Sequence, residues 1–374
     1  MALIAVCAIT SGGGDGVAGG AGGASGRAVP NSSMLAKVAM FGNDDRIALP
    51  ENLAMLSSSV GLVASESERT LCTGFCVGKR TIATAAHCLF RTVGERRADL
   101  GSFRFIVGEG GNRRRSAIRG RDVGAHRQHV VAGSFALNIL PPIDATRDWA
   151  LMRLEQPICG KNELLVDAVS PPNIQRIAER GRLLHVSFHS DVRNWRLKVS
   201  PSCRVKAELD PLARAQVDRD FVDTAALVLH ECDTGLASSG SPLLTIRPDN
   251  SLRVTAINVG TYQQTRYLVT GRSVKRRYKP ATVANTAVSG SAFADHVLAF
   301  TRADIIGDQE GIRRLQSALR AKGFDPGPSD GIFGERSRSA LIHFERSSGA
   351  ADIGLATYAA LRAVEGWQRE PGQR

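Results

Sequence analysis

Three short segments of this chain carry residue types that together can transfer an acyl group. Thr84-Ala85-Ala86-His87-Cys88 supplies an imidazole, Asp148-Trp149-Ala150-Leu151 a carboxylate, and Ser238-Ser239-Gly240-Ser241-Pro242 a hydroxyl. A serine at its ordinary pKa attacks a carbonyl poorly unless a base takes its proton. His87 can be that base if a buried carboxylate on its other ring nitrogen fixes the tautomer and steadies the imidazolium. Asp148 suits the task, because Trp149, Ala150, Leu151 and Met152 begin an apolar strand and leave the aspartate at its edge. Ser239 lies among small residues, where a tight turn can aim the backbone amides of Ala237 and Ser239 at a developing oxyanion. Each segment alone has a plainer use as a helix start, a strand cap or a polar loop. Their conjunction in the order His, Asp, Ser, with Cys88 beside the histidine, points to chemistry.

Bringing three distant residues together takes a scaffold. From Leu56 to Ala256 the chain alternates short apolar, β-branched runs with turn residues, as in Val60-Gly61-Leu62-Val63, Phe103-Arg104-Phe105-Ile106-Val107 and Ala226-Leu227-Val228-Leu229-His230. That spacing predicts an all-β barrel architecture. Residues 91–147 are a long interval between His87 and Asp148, and Arg113-Arg114-Arg115 at its centre reads as a solvated surface insertion. Beyond Ala303 the period becomes helical. Ile312, Leu315, Leu319 and Phe324 open a small unit, Asp325 to Gly334 forms a turn-rich centre, Ala340, Leu341 and Phe344 mark a second helix, and Tyr358 and Leu361 a third.

The order and setting of these residues resemble the trypsin-like serine peptidases over about Phe41 to Ala303, specifically the bacterial, glutamyl-endopeptidase-like members. Gly42-Asn43-Asp44-Asp45-Arg46 looks like their opening Gly-x-Asp-Asp-Arg, and Ser239-Gly240-Ser241-Pro242 like their Ser-Gly-Ser-Pro. Cys72-Thr73-Gly74 and Cys232-Asp233-Thr234 also recur in that group. The resemblance implies a chymotrypsin-like double antiparallel β-barrel of six strands each, with the site in the cleft between them. It also implies a Cys72–Cys88 bridge around the histidine loop. Cys203 and Cys232 bracket the segment before the serine and form one further candidate pair, which leaves Cys76 with Cys159, although six cysteines allow fifteen pairings.

Two departures bear on function. The family carries glycine where this chain has Ala237, and alanine resists the positive φ that glycine accepts. No Ile-Val-Gly-Gly activation terminus is present, as in the bacterial members. The pocket candidates are Asp233, Thr234, Asn258 and Gly260. Asp233, six residues before Ser239, would favour Arg or Lys substrates at the base of a pocket, or is an outward turn residue beside a disulfide. Thr234 matches a position with which glutamyl endopeptidases hold a Glu side chain, yet Ala256-Ile257-Asn258-Val259-Gly260 lacks the histidine those enzymes use.

The terminal unit resembles the peptidoglycan-binding domain of bacterial cell-wall enzymes through Leu315-Gln316, Gly323-Phe324, Asp330-Gly331-Ile332-Phe333-Gly334 and Phe344-Glu345. Glu345 stands for the usual Gln and Ser337 for the usual Thr. Most of these positions are core or turn, so the resemblance speaks for a fold more than a ligand, and a spacer module without glycan affinity is the alternative.

The net charge of +12 rests on 48 basic residues, of which only eight are lysine. Arginine spread through the chain without an accompanying recognition motif gives no reason to expect nucleic acid. The cysteine spacing lacks the paired patterns of zinc sites, and the acyl-transfer chemistry needs no metal or organic cofactor. Disulfides imply an oxidising compartment, hence a secreted, periplasmic or cell-envelope protein. Met1 to Thr10 is only a fragment of a signal pattern, and Ile4-Ala5-Val6-Cys7 faintly resembles a lipoprotein box that would make Cys7 a lipid anchor. No apolar run is long enough to span a membrane.

The expected organisation is a signal remnant, propeptide or disordered linker over 1–40 and a peptidase domain over 41–303. A three-helix domain over 304–366 and a disordered tail over 367–374 follow. The expected activity is a serine endopeptidase acting on protein or peptide substrates, held at cell-wall peptidoglycan and treated as a monomer. The alternative is a catalytically weak or inactive peptidase-fold scaffold or cell-wall-binding protein. A peptidoglycan hydrolase would need paired carboxylates or zinc ligands, and neither is evident.

Overall fold

The computed structural model describes residues 3–4, 39–90, 99–108, 113–119, 127–138, 141–192, 195–201, 203–206, 209, 211–264, 267–270, 273–277 and 281–367. Cys7, nearly all of the 1–40 segment and the tail after Trp367 lie outside them.

The first half builds one antiparallel sheet. Its strands are β3 (Val60–Ser65), β4 (Thr70–Gly78), β5 (Thr81–Thr84), β6 (Arg104–Val107), β7 (Arg114–Ala117), β8 (Val130–Ala132) and β9 (Ala150–Arg153), in the order β7-β6-β3-β4-β5-β9-β8. Phe75, Ile82, Phe105 and Leu151 are wholly buried inside it. The arginine run is not an insertion. Arg114 and Arg115 are exposed residues of the edge strand β7, paired with Val107 and Ile106. Long charged side chains on an edge strand keep it from recruiting another chain, a use that a surface loop would not have.

The second half builds the other sheet from β2 (Ile47–Ala48), β10 (Leu183–Ser187), β11 (Lys198–Ser200), β12 (Leu227–His230), β13 (Pro242–Ile246), β14 (Leu252–Gln264) and β17 (Ala281–Ser289). Their order is β12-β17-β14-β13-β10-β11-β2, and β1 (Leu3–Ile4) adds to the free end of β14. A hairpin of β15 (Tyr267–Thr270) and β16 (Ser273–Arg277) stands apart. The sheets thus hold seven and eight strands rather than six each, since short edge strands join both. Two helices break the β pattern, α1 (Pro171–Glu179) and α2 (Pro211–Asp220). Pro171 pre-sets the first turn of α1, and Ile174 and Ala178, four apart, bury one face.

Helix α3 (Ala294–Arg302) closes this region. Arg153 of β9 caps it by donating to the carbonyls of Ala303 (2.9 Å) and Phe300. The last part folds as α4 (Gln309–Ala321), α5 (Glu335–Ser347) and α6 (Tyr358–Gly366) around Ile306, Ile312, Leu315, Phe333, Leu341 and Phe344. Gln316 is spent inside it: its Nε2 donates to Asp330 Oδ1 and Ser337 Oγ, both at 3.1 Å, and its Oε1 accepts the Gly331 amide at 3.0 Å. The two parts touch. Arg338 of α5 is buried between them, donating to Val130 O (2.9 Å) of β8 and to Gly354 O (2.7 Å), with its guanidinium against the rings of Phe135 and Phe333. Ile305 and Leu355 join the apolar core of the β region.

Candidate active site

Strand pairing brings the first two candidates together. Thr84 of β5 lies opposite Ala150 of β9, so His87, three residues beyond Thr84, meets Asp148, two residues before Ala150. Asp148 Oδ2 is 2.7 Å from His87 Nδ1, and its Oδ1 accepts the His87 backbone amide at 2.9 Å. The carboxylate therefore grips both ring and main chain, and both side chains are nearly closed off from solvent. With Nδ1–H donated to the carboxylate, Nε2 is left as the acceptor.

The serine turn presses against the same strands from the other sheet. Gly240 has φ +83°, and a Cβ there would meet Thr84 Oγ1 at 2.1 Å and Thr73 O at 2.3 Å. Only glycine allows this approach. Thr73 then ties the two sheets, its amide donating to Ser239 O (2.8 Å) and its hydroxyl to Ala237 O (2.7 Å). Cys88 Sγ lies 3.8 Å from His87 Nε2 and 3.9 Å from Ser239 O, so the ring and the serine share one sulfur as neighbour. The Ser239 hydroxyl itself is turned to Val259 O at 3.4 Å and makes no hydrogen bond to His87.

Ala237 adopts φ 77°, the conformation that an alanine resists. The strain, about 1–2 kcal/mol for a side chain with a Cβ, is held by hydrogen bonds on both flanking carbonyls: Ser190 N to Leu236 O (2.8 Å) and Thr73 Oγ1 to Ala237 O. Among the described residues the amides of Ala237 and Ser239 donate to no protein oxygen, while Ser238 N between them donates to Gly235 O at 3.1 Å. Two unengaged amides flanking an engaged one is an arrangement able to take a negative oxygen.

The pocket candidates are otherwise employed. Asp233 accepts the amides of Phe41 (2.8 Å) and Asp45 (3.0 Å), so its carboxylate anchors the leading segment instead of waiting for a cationic substrate. Burial raises its pKa even so. Thr234 is buried and pairs through its backbone with Ala39. Asn258 is buried behind the serine turn and donates to Ser238 O at 3.0 Å. Gly260 alone remains at a partly exposed position of β14, opposite Thr286. A second anchor is Arg46, whose side chain is almost fully buried and bridges Asp44 (2.8 Å) and Asp191 (2.6 Å). Its hydrogen bond holds Asp44 down at about 2. His185, His189 and His230 are buried as well, and a histidine inside Leu183-Leu184-His185-Val186 is the one sequence signal of such a buried polar group.

Three disulfides, Cys72–Cys88, Cys76–Cys159 and Cys203–Cys232, span separations of 16, 83 and 29 residues. In the chain-entropy account each restrains the unfolded state by roughly 3–4.5 kcal/mol. Cys72, Cys88 and His87 lie close enough to hold a metal, but joining the sulfurs removes the thiolates that a metal would need. Among the described residues no helix is long and apolar enough to cross a membrane.

Comparison with known proteins agrees with this architecture. Residues 54–180 match the trypsin family, and residues 308–361 match the peptidoglycan binding domain family. The antiparallel β region is thus similar to trypsins over residues 54–180, and the helical domain after it is similar to peptidoglycan-binding domains over residues 308–361. A solved structure of a Glu endopeptidase in complex with MPD aligns with 70% of this chain and 97% of its own, at 14% identity and a TM-score of 0.43, a likeness too distant to bear on the site. No curated protein matches the sequence.

Proposed function

We propose that this protein is an exported serine endopeptidase in which Ser239 is the nucleophile, His87 the general base and Asp148 its orienting carboxylate. The observation that carries this reading is the double grip of Asp148 on His87, at Nδ1 and at the backbone amide, which leaves Nε2 as the only acceptor. Ser239 turns off Val259 O, passes its proton to Nε2 and attacks the substrate carbonyl. The resulting oxyanion is received by the amides of Ala237 and Ser239. His87 then returns the proton to the leaving amine, and water, activated by the same ring, hydrolyses the acyl-enzyme. Three disulfides support an oxidising compartment, and the carboxy-terminal domain supports attachment to cell-wall glycan.

One observation favours a second reading, a weak or silent peptidase fold that binds wall polymer: the Ser239 hydroxyl rests on Val259 O, away from the ring. Such bonds often tighten only when substrate arrives. A fluorophosphonate label separates the two readings. The expected result is stoichiometric labelling of the full chain, none in Ser239→Ala, and a peptidase rate lowered on the order of 10⁶-fold by that change. Folded wild type that takes no label would decide for the scaffold.

A further inference from the structure

Among the described residues three histidines lie buried side by side behind the serine turn, and the acyl-transfer chemistry leaves them without a task. His185 on β10, His189 just beyond it and His230 at the end of β12 are each no more than 1% exposed. The His185 ring centroid is 6.2 Å from those of both others.

Two of these rings lead to one atom, the carbonyl oxygen of Ser238. Ser241 Oγ donates to Ser238 O at 2.5 Å and lies 2.6 Å from His185 Nε2. Asn258 Nδ2 donates to the same oxygen at 3.0 Å, while its Oδ1 lies 3.1 Å from His230 Nε2. The proton positions follow. Ser241 has one hydroxyl proton and gives it to Ser238 O, so His185 Nε2 must donate to Ser241. The Cys232 amide donates to His230 Nδ1 at 3.3 Å, so that ring carries its proton on Nε2 and donates to Asn258. Both rings serve as neutral donors of fixed tautomer. Burial agrees, pushing His185 down to about 4 and His230 to about 3.

Ser238 O is the far end of the peptide plane whose near end is the Ser239 amide. The Ser241 amide donates to the same oxygen at 3.1 Å, and the two side-chain donors add to it to fix the rotation of that plane, and with it the direction of the Ser239 N–H. We propose that His185 and His230 are positioning residues for acyl transfer, setting the Ser238–Ser239 peptide through Ser241 and Asn258. The role rests on the reading of Ser239 as nucleophile. His189 bonds to Ser187 Oγ at 3.0 Å and stands outside this arrangement.

The test is steady-state hydrolysis of a peptide ester by the full chain, with fluorophosphonate labelling in parallel. His185→Leu and His230→Leu should each lower kcat by about tenfold or more with KM nearly unchanged, short of the 10²–10³-fold cost of deleting an oxyanion donor. Affinity for a peptide aldehyde, which binds as a tetrahedral adduct, should fall in step with kcat. His185→Gln and His230→Gln keep an N–H donor and should restore most of the rate. Ser241→Ala, the smallest change, should reproduce the leucine loss and keeps the test open if a leucine variant does not fold. Folded leucine and alanine variants with wild-type kcat would overturn the positioning role alone. A wild type that takes no label would sink the nucleophile assignment, and this role with it.

Discussion

Ala237 holds φ 77° without the freedom of glycine. The sequence raised the question whether an alanine there distorts the turn. In the fold the alanine takes up the glycine conformation, because Thr73 and Ser190 clamp the carbonyls on either side. Relief of its strain should exceed the chain entropy that glycine loses, about 0.5–1 kcal/mol. Ala237→Gly is therefore expected to raise unfolding stability by about 0.5–1 kcal/mol with the labelling rate of Ser239 unchanged. Urea denaturation measures the first and a fluorophosphonate time course the second. A less stable glycine variant would mean that the alanine bears no strain.

At the scale of elements, β10 and β12 carry their histidines into a region dry on every side. All residues of both strands are buried, those of β10 inside the sheet and those of β12 although it ends the strand order. Burial lowers His185 to about 4 and His189 and His230 to about 3, from an ordinary 6.5. Below 6.5 the unfolded chain binds protons that the folded chain refuses, so stability must fall on acidification through that window. Three such groups give a slope of up to about 4 kcal/mol per pH unit. Glu345 works in the opposite sense. Burial raises it to about 7, so the folded state keeps a proton between 4.5 and 7 and loses stability as pH rises through that range. The net expectation is a steep loss below about pH 6, read from urea midpoints at stepped pH. A flat profile from neutrality to about pH 4.5 would mean that the three rings are not dry and neutral.

At the scale of the molecule the carboxy-terminal domain is packed against the β region, not strung on a loose tether. Arg338 is one polar fastening of it. It lies over Phe135, and Phe135 stacks edge-on against Phe90, three residues past His87, with centroids 4.9 Å apart. Burial lowers the Arg338 pKa to about 10, still leaving it a cation at neutral pH. Arg338→Met would strand the carbonyls of Val130 and Gly354, at a cost of about 2–4 kcal/mol. Calorimetry should then show the three-helix domain melting ahead of the β region, where the native chain melts as one. An unchanged single transition would show that the other contacts, those of Ile305 and Leu355 among them, hold the domains together without Arg338.

The sequence by itself determined the class of fold, because its signals are local. Short β-branched runs, the switch to helical period after Ala303 and the Asp330–Gly334 turn each report the backbone in their own neighbourhood. Even so, α1 and α2 escaped notice, since a nine- or ten-residue helix among strands offers too few periods to stand out. Tertiary structure alone decided what Asp233 does, for the amides it holds are 192 and 188 residues away. It alone made His185 and His230 neutral donors, and it alone joined Arg338 to Val130, 208 residues apart. A residue's type states which bonds and charges it could carry. Which of them it does carry depends on the partners and the dryness that the folded chain supplies.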